Sequence, residues 1–205
     1  MLDRVFKVPL AKLGPSQEDF TQRSSLHGPS HACRVQAYTV LLSWKTGLTD
    51  ELPAAFCAGF LHDLSRRHDG ICPMHGTWAV EEKLERYLPF FYELGLTPDR
   101  VAGVKTAVAN HCVREDPERS HPHFNVTALL KDADALDRWR IWERPSDSFL
   151  RLPATAGLVA RARELFLRTR ELETFDAIWK HALELFGDLV PAELVATTGR
   201  ASHGG

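Results

Sequence analysis

The chain has 205 residues, of which 44% are hydrophobic and 25% are charged. These proportions are typical of a soluble globular protein with a full-sized core. The formal net charge of −2 gives no overall attraction to nucleic acid or to an anionic membrane, although it leaves room for a local basic pocket that binds one phosphate. No apolar run approaches the ~20 residues of a membrane-spanning helix. We therefore expect one soluble domain that covers residues 1–205.

The cysteines and the first residues predict a cytoplasmic protein. The cysteines lie in apolar or histidine-rich segments and show no Cys-x-x-Cys spacing. They are Cys33, Cys57, Cys72 and Cys112. This pattern indicates reduced thiols rather than a disulfide framework. Charged residues interrupt the first seven positions, where a secretory signal would be apolar.

Hydrophobic periodicity and capping residues predict an all-α fold, with helices along the chain and no convincing strand. After an irregular arm over residues 1–15, the predicted helices run from Ser16 to Arg23, Pro29 to Gly47, Thr49 to Asp63, Thr77 to Pro89, Thr97 to Cys112, Val126 to Arg140, Pro153 to Leu172 and Thr174 to Phe186. The segment 65–76 is a predicted polar loop, and the tail over residues 191–205 is expected to fray.

The most apolar of these predicted helices ends at His62 and Asp63. A buried, ionised carboxylate needs an opposite charge or a metal, because desolvating it alone costs several kcal/mol. A neutral imidazole is a common metal ligand. Taken alone the pair is ambiguous, since His62 could cap the helix and Asp63 could pair with Arg66 or Arg67.

Further polar residues recur at the ends or on the apolar faces of predicted buried helices: His31, His75, His111 and Asp132. Each by itself could be a hydrogen-bonded core residue. Together with His62 and Asp63 they predict a site for a divalent ion such as Mn, Mg, Co, Ni, Zn or Fe, bound by imidazole and carboxylate. The missing thiolate cluster argues against a structural zinc finger.

The order His31, His62-Asp63 and Asp132 resembles the H…HD…D signature of the HD-domain metal-dependent phosphohydrolases, over about residues 25–140. The resemblance implies an HD-domain-like helical bundle, with helices over about 153–188 packed on the motif-bearing core. It implies that these four residues bind one metal, and that His75 and His111 bind a second metal or supply protons. Asp63, His75 and His111 are thus the expected catalytic residues.

The expected activity is hydrolysis of a small phosphate ester, a nucleotide-like monoester or diester. A divalent ion activates water and polarises a phosphoryl oxygen, and cations then bind the other phosphate oxygens. Candidates for that role are Arg34, Arg66 and Arg67, while Asp134 and Asp137 are expected to support the ligands or to lie on the helix surface.

Two alternatives stay open. One is a nucleotide- or ligand-sensing domain without enzymatic activity, in which the metal is structural, and the other is a di-iron oxygenase. A long nucleic acid is disfavoured as a partner because the sequence has no basic stripe. The sequence leaves the substrate, the native metal and the oligomeric state open.

Overall fold

The computed structural model describes residues 8–192, and within that range the chain forms α-helices and short 3-10 turns without a strand. The α-helices are α1 (Pro29–Thr46), α2 (Leu52–Leu61), α3 (His75–Glu82), α4 (Leu84–Glu93), α5 (Val101–His111), α6 (Phe124–Leu136), α7 (Val159–Thr169) and α8 (Phe175–Phe186). The all-α prediction is confirmed. None of these described helices is long and apolar enough to cross a membrane. Residues 1–7 of the predicted arm and 193–205 of the predicted tail lie outside the described part.

Helices α1 and α2 form the centre of the bundle. Every residue of α2 is buried, as expected for a helix that is apolar on all faces, and nearly all of α1 up to Ser43 is buried as well, including its polar residues. Helix α1 packs against α2, α6 and α8, while α2 also packs against α5 and α6. A left-handed glycine, Gly47 at φ +72°, ends α1 as predicted.

Gly76 lets α3 approach α5 closely. A Cβ atom at this position would lie 2.1 Å from the Val108 carbonyl oxygen and 3.0 Å from His111 Nδ1, closer than a side chain tolerates. Only glycine therefore fits this contact between the two helices. The contact places His75, the first residue of α3, beside His111 at the end of α5.

Some helix bounds differ from those predicted. The helix expected from Thr77 to Pro89 is two helices, α3 and α4, which meet at Lys83. Pro89 lies inside α4, where its ring removes one backbone hydrogen bond without ending the helix.

The helix predicted from Ser16 is only the 3-10 turn Gln17–Asp19. Both the backbone N–H and the hydroxyl of Ser16 donate to Asp19 Oδ2, at 2.8 and 3.0 Å. These bonds form a capping box at the start of the turn. The backbone becomes extended at Phe20, and the Thr21 N–H donates to the Leu64 oxygen at 2.8 Å, so the helix does not continue.

Replacing Gly76 with alanine should destabilise the fold by about 1–3 kcal/mol, because the new methyl group would push α3 away from α5. The matched control is Gly157→Ala, since within the described structure nothing lies within 4 Å of a Cβ built there. Urea unfolding of both variants measures the difference. Equal stabilities of the two variants would contradict the close contact.

Candidate metal centre

Four buried histidines are each held by a hydrogen bond at the same ring nitrogen. The Nδ1 atoms lie 2.8 Å from Asp137 Oδ2 for His31, 2.8 Å from the Gly59 oxygen for His62, 2.6 Å from the Cys72 oxygen for His75 and 2.7 Å from the Val108 oxygen for His111. Carbonyl and carboxylate oxygens only accept, so Nδ1 carries the hydrogen in every neutral ring. Nε2 is then unprotonated, and its lone pair is available to bind a metal.

These Nε2 atoms meet in two pairs. His31 Nε2 lies 3.1 Å from His62 Nε2, and His75 Nε2 lies 2.8 Å from His111 Nε2. Two lone pairs facing each other at this separation repel, since neither nitrogen has a hydrogen to donate. Each pair therefore requires a cation, either a proton or a metal ion.

Asp63 lies between the two pairs and is 3% exposed. Its Oδ2 faces the first pair, 3.4 Å from His31 Nε2 and 3.6 Å from His62 Nε2. Its Oδ1 faces the second pair, 3.0 Å from His75 Nε2 and 3.7 Å from His111 Nε2. Burial by itself raises the pKa of Asp63, but the surrounding imidazoles hold it well below its usual value. One ionised carboxylate thus offers one oxygen to each pair.

A second carboxylate, Asp134 of α6, joins the first pair. Its Oδ1 lies 3.3 Å from His31 Nε2, and ligand atoms of His31, His62 and Asp134 lie within 4.8 Å of one another. This oxygen is buried and makes no hydrogen bond to any described residue. Partial desolvation raises the pKa of Asp134, but Arg140 and His31 hold it well below its usual value. Asp134 Oδ1 is thus a charged ligand atom that also lies 3.3 Å from Arg140 Nη2.

Asp132 is not part of this cluster, so the prediction that it supplies the fourth ligand is corrected to Asp134. Residues two apart on a helix point to nearly opposite sides. The fully buried Asp132 carboxylate instead accepts hydrogen bonds from the backbone N–H groups of Arg151 and Leu152, both at 2.9 Å, and from Thr155 Oγ1 at 2.6 Å. Asp132 thereby fixes the segment 151–155, which explains why the predicted helix at Pro153 begins only at Val159.

Arg34 does not face the centre either, which corrects its expected role in binding phosphate. Its side chain is buried, and Nε and Nη2 donate to the two oxygens of Asp137 at 2.6 and 3.0 Å. Asp137 in turn holds the Nδ1 hydrogen of His31. Arg34 therefore fixes the orientation of a histidine through a carboxylate, as second partners of metal-binding histidines do.

The other two predicted arginines differ in position. Arg67 pairs with Glu82 at 2.7 Å on the surface and lies over the Trp78 ring, so its expected role in binding substrate is not supported. Arg66 Nε lies 3.4 Å from Asp63 Oδ1. This nitrogen is buried and has no hydrogen-bond acceptor in the described part of the chain, which leaves a donor free at the centre.

In the metal-free centre, the first pair holds a proton on His31. Burial and Arg140 lower the pKa of His31, but the carboxylates of Asp134, Asp137 and Asp63 raise it to about 9 overall. Burial lowers the pKa of His62 to about 3, so this ring is neutral. A divalent ion would replace the proton on His31, since metal binding requires deprotonated ligands. These buried His and Asp groups could hold a metal ion.

The centre opens into two adjoining cavities of about 550 and 360 Å³. Both are lined by His111, Cys112, Asp134 and Arg138. Arg66 and Arg140 line the smaller cavity. Arg138 and Arg140 were not anticipated from the sequence; they come from the 3-10 turn Asp137–Ile141 that directly follows α6. The cavities have the size of a small-molecule site, and the arginines favour an anionic ligand.

Comparisons with protein-family models, with curated proteins and with solved structures give no match to this chain. The interpretation of the centre therefore depends on its geometry and chemistry.

A paired experiment should distinguish the roles of the two aspartates of α6, Asp132 and Asp134. Asp134→Asn should weaken binding of a divalent ion by at least about 100-fold, because even residues that only orient ligands are worth roughly 10- to 100-fold. Asp132→Asn should keep the affinity but lower the stability of the metal-free protein by about 1–3 kcal/mol, since it leaves buried donors unpaired. Titration calorimetry and urea unfolding measure the two quantities. Loss of metal affinity in the Asp132 variant alone would contradict the correction.

Proposed function

We propose that this chain is a metal-dependent phosphohydrolase that acts on a small phosphate ester. The observation that carries the proposal is the Asp63 carboxylate, whose two oxygens each face a pair of imidazole Nε2 atoms beside a cleft bordered by arginines. With Asp134 in place of Asp132, the residue order still resembles that of the HD-domain phosphohydrolases.

Two neighbouring ligand sets follow from the geometry. His31, His62, Asp134 and one oxygen of Asp63 would hold one ion, while His75, His111 and the other oxygen of Asp63 would hold a second. Imidazole and carboxylate together suit Mn, Fe, Co, Ni or Zn. Such an ion, when bound, lowers the pKa of a coordinated water and polarises a phosphoryl oxygen.

The chain supplies the remaining functions itself. The backbone carbonyls and Asp137 keep all four histidines in one tautomer and orientation. Arg66 has a buried nitrogen free to donate to a phosphate oxygen. Arg140 is partly neutralised by Asp134 at 3.3 Å, and Arg138 by Glu143. Donors fixed in advance in a site of low dielectric stabilise the charge of a phosphoryl transition state strongly.

The larger cavity favours a substrate that extends beyond the phosphate. Its volume of about 550 Å³ suits a molecule of nucleotide size. Phe149, which is 57% exposed, lines this cavity together with Ser146 and Arg114. An aromatic ring, a hydroxyl and a cation can contact the organic part of such an ester.

A di-iron oxygenase is the second candidate, because four imidazoles and a carboxylate with one oxygen toward each pair could also hold two irons. Oxygen consumption by the iron-loaded protein, without phosphate release, would favour it.

The proposed activity depends on Asp63. Protein purified without chelator should contain a divalent metal and hydrolyse a phosphomonoester or phosphodiester in a broad panel, and chelation should abolish the activity until metal is restored. Asp63→Asn should lower kcat/KM by at least about 100-fold, because the metal contributes several kcal/mol to transition-state stabilisation. Metal-loaded protein that is inactive toward every ester would refute the proposal.

Variants of Arg66 and of its neighbour Arg67 test substrate binding, with Arg67 as the matched control. Arg66→Ala should raise KM by roughly tenfold or more, as expected from losing a hydrogen bond to a charged group. Arg67→Ala should leave KM unchanged, since that side chain pairs with Glu82 on the surface. Steady-state kinetics at equal metal content distinguish the two, and equal effects would argue against the role of Arg66.

A further inference from the structure

A sulfur atom that the sequence analysis did not connect with the metal lies beside the second ligand set. Cys112 follows His111 at the end of α5. Ligand atoms of His75, His111 and Cys112 lie within 4.8 Å of one another. Cys112 also lines both cavities, whereas the buried Cys33 and Cys57 line neither of them.

The position of the sulfur follows from the contact at Gly76. Because α3 approaches α5 so closely there, the segment that leads into α3 passes over the end of α5. Cys112 Sγ lies 3.1 Å from the Pro73 carbonyl oxygen in that segment, two residues before His75.

The two ligand sets are unequal without the thiol. The first has two imidazoles and carboxylates from Asp63 and Asp134, whereas the second has two imidazoles and only one oxygen of Asp63. Zinc in proteins takes four ligands, and the second set supplies only three of them without the thiol. Two residues adjacent in the sequence can both supply ligands to one ion, as we propose for His62 and Asp63 in the first set.

We propose that Cys112 Sγ is a ligand of the second ion, which makes this subsite selective for thiophilic metals such as zinc, cobalt or cadmium. On binding, the sulfur–metal bond forms as the S–H bond breaks, and the proton passes to solvent. Thiolate ligands select softer ions, and carboxylates suit harder ones such as manganese. The two subsites therefore differ in metal preference. The inference rests on the metal centre of the proposed function and is independent of the reaction.

Cobalt absorption spectroscopy tests the ligand directly. Metal-free protein titrated with Co²⁺ should develop a near-ultraviolet charge-transfer band from sulfur to cobalt, together with the weaker visible bands of bound cobalt. Cys112→Ser should lose the charge-transfer band and keep the visible bands. Cys72→Ser is the matched control and should keep both, because Cys72 lines the same cavity but its sulfur is not among the clustered ligand atoms.

Three results would overturn the inference. These are wild-type protein that binds cobalt without the charge-transfer band, a band that persists in Cys112→Ser, and a band that disappears in Cys72→Ser. Failure to bind any cobalt would refute the metal centre as well. A cobalt-loaded protein that shows the band but hydrolyses no phosphate ester would support the ligand while refuting the proposed activity.

Discussion

The ionised carboxylate of Asp63, held out of water among four imidazoles, is the constraint on which the centre depends. Leaving this charge without partners would cost several kcal/mol, so the helices must bring partners to it. The partners come from the ends of helices. Helix α1 supplies His31 from its first turn, α3 supplies His75 as its first residue, and α5 supplies His111 as its last residue. Because each ring is fixed at Nδ1 by an acceptor of its own, all the metal-binding lone pairs point inward. The close packing at Gly76 is thus a condition for the site as well as for the fold.

The sequence was sufficient to find the histidines but not to choose between the two aspartates of α6. A polar residue on an apolar face needs a partner, and this rule correctly selects His31, His75 and His111 as members of one cluster. The same rule selects Asp132, which is the more buried aspartate. Its partners lie 19 to 23 residues farther along the chain, in the segment 151–155. Burial alone cannot distinguish a carboxylate that holds a loop from one that faces a metal.

The arginines show the same limit. Arg34 lies three residues after His31 on α1, but the carboxylate that both contact, Asp137, comes from a turn about a hundred residues later. This long-range contact converts an expected phosphate ligand into a support for the metal centre. Helix positions were predictable because periodicity and caps are local signals. Helix ends were less predictable where tertiary contacts decide them, as at Lys83 and Val159.

Anomalous scattering from crystals grown with zinc tests the central claim most directly. The account predicts difference peaks within coordination distance of Asp63, one beside His31 and His62 and one beside His75 and His111. The occupancy of both zinc sites should be lower in crystals of the Asp63→Asn variant. Zinc found only at surface positions, with the two pairs of histidine Nε2 atoms still facing each other without a metal, would contradict it.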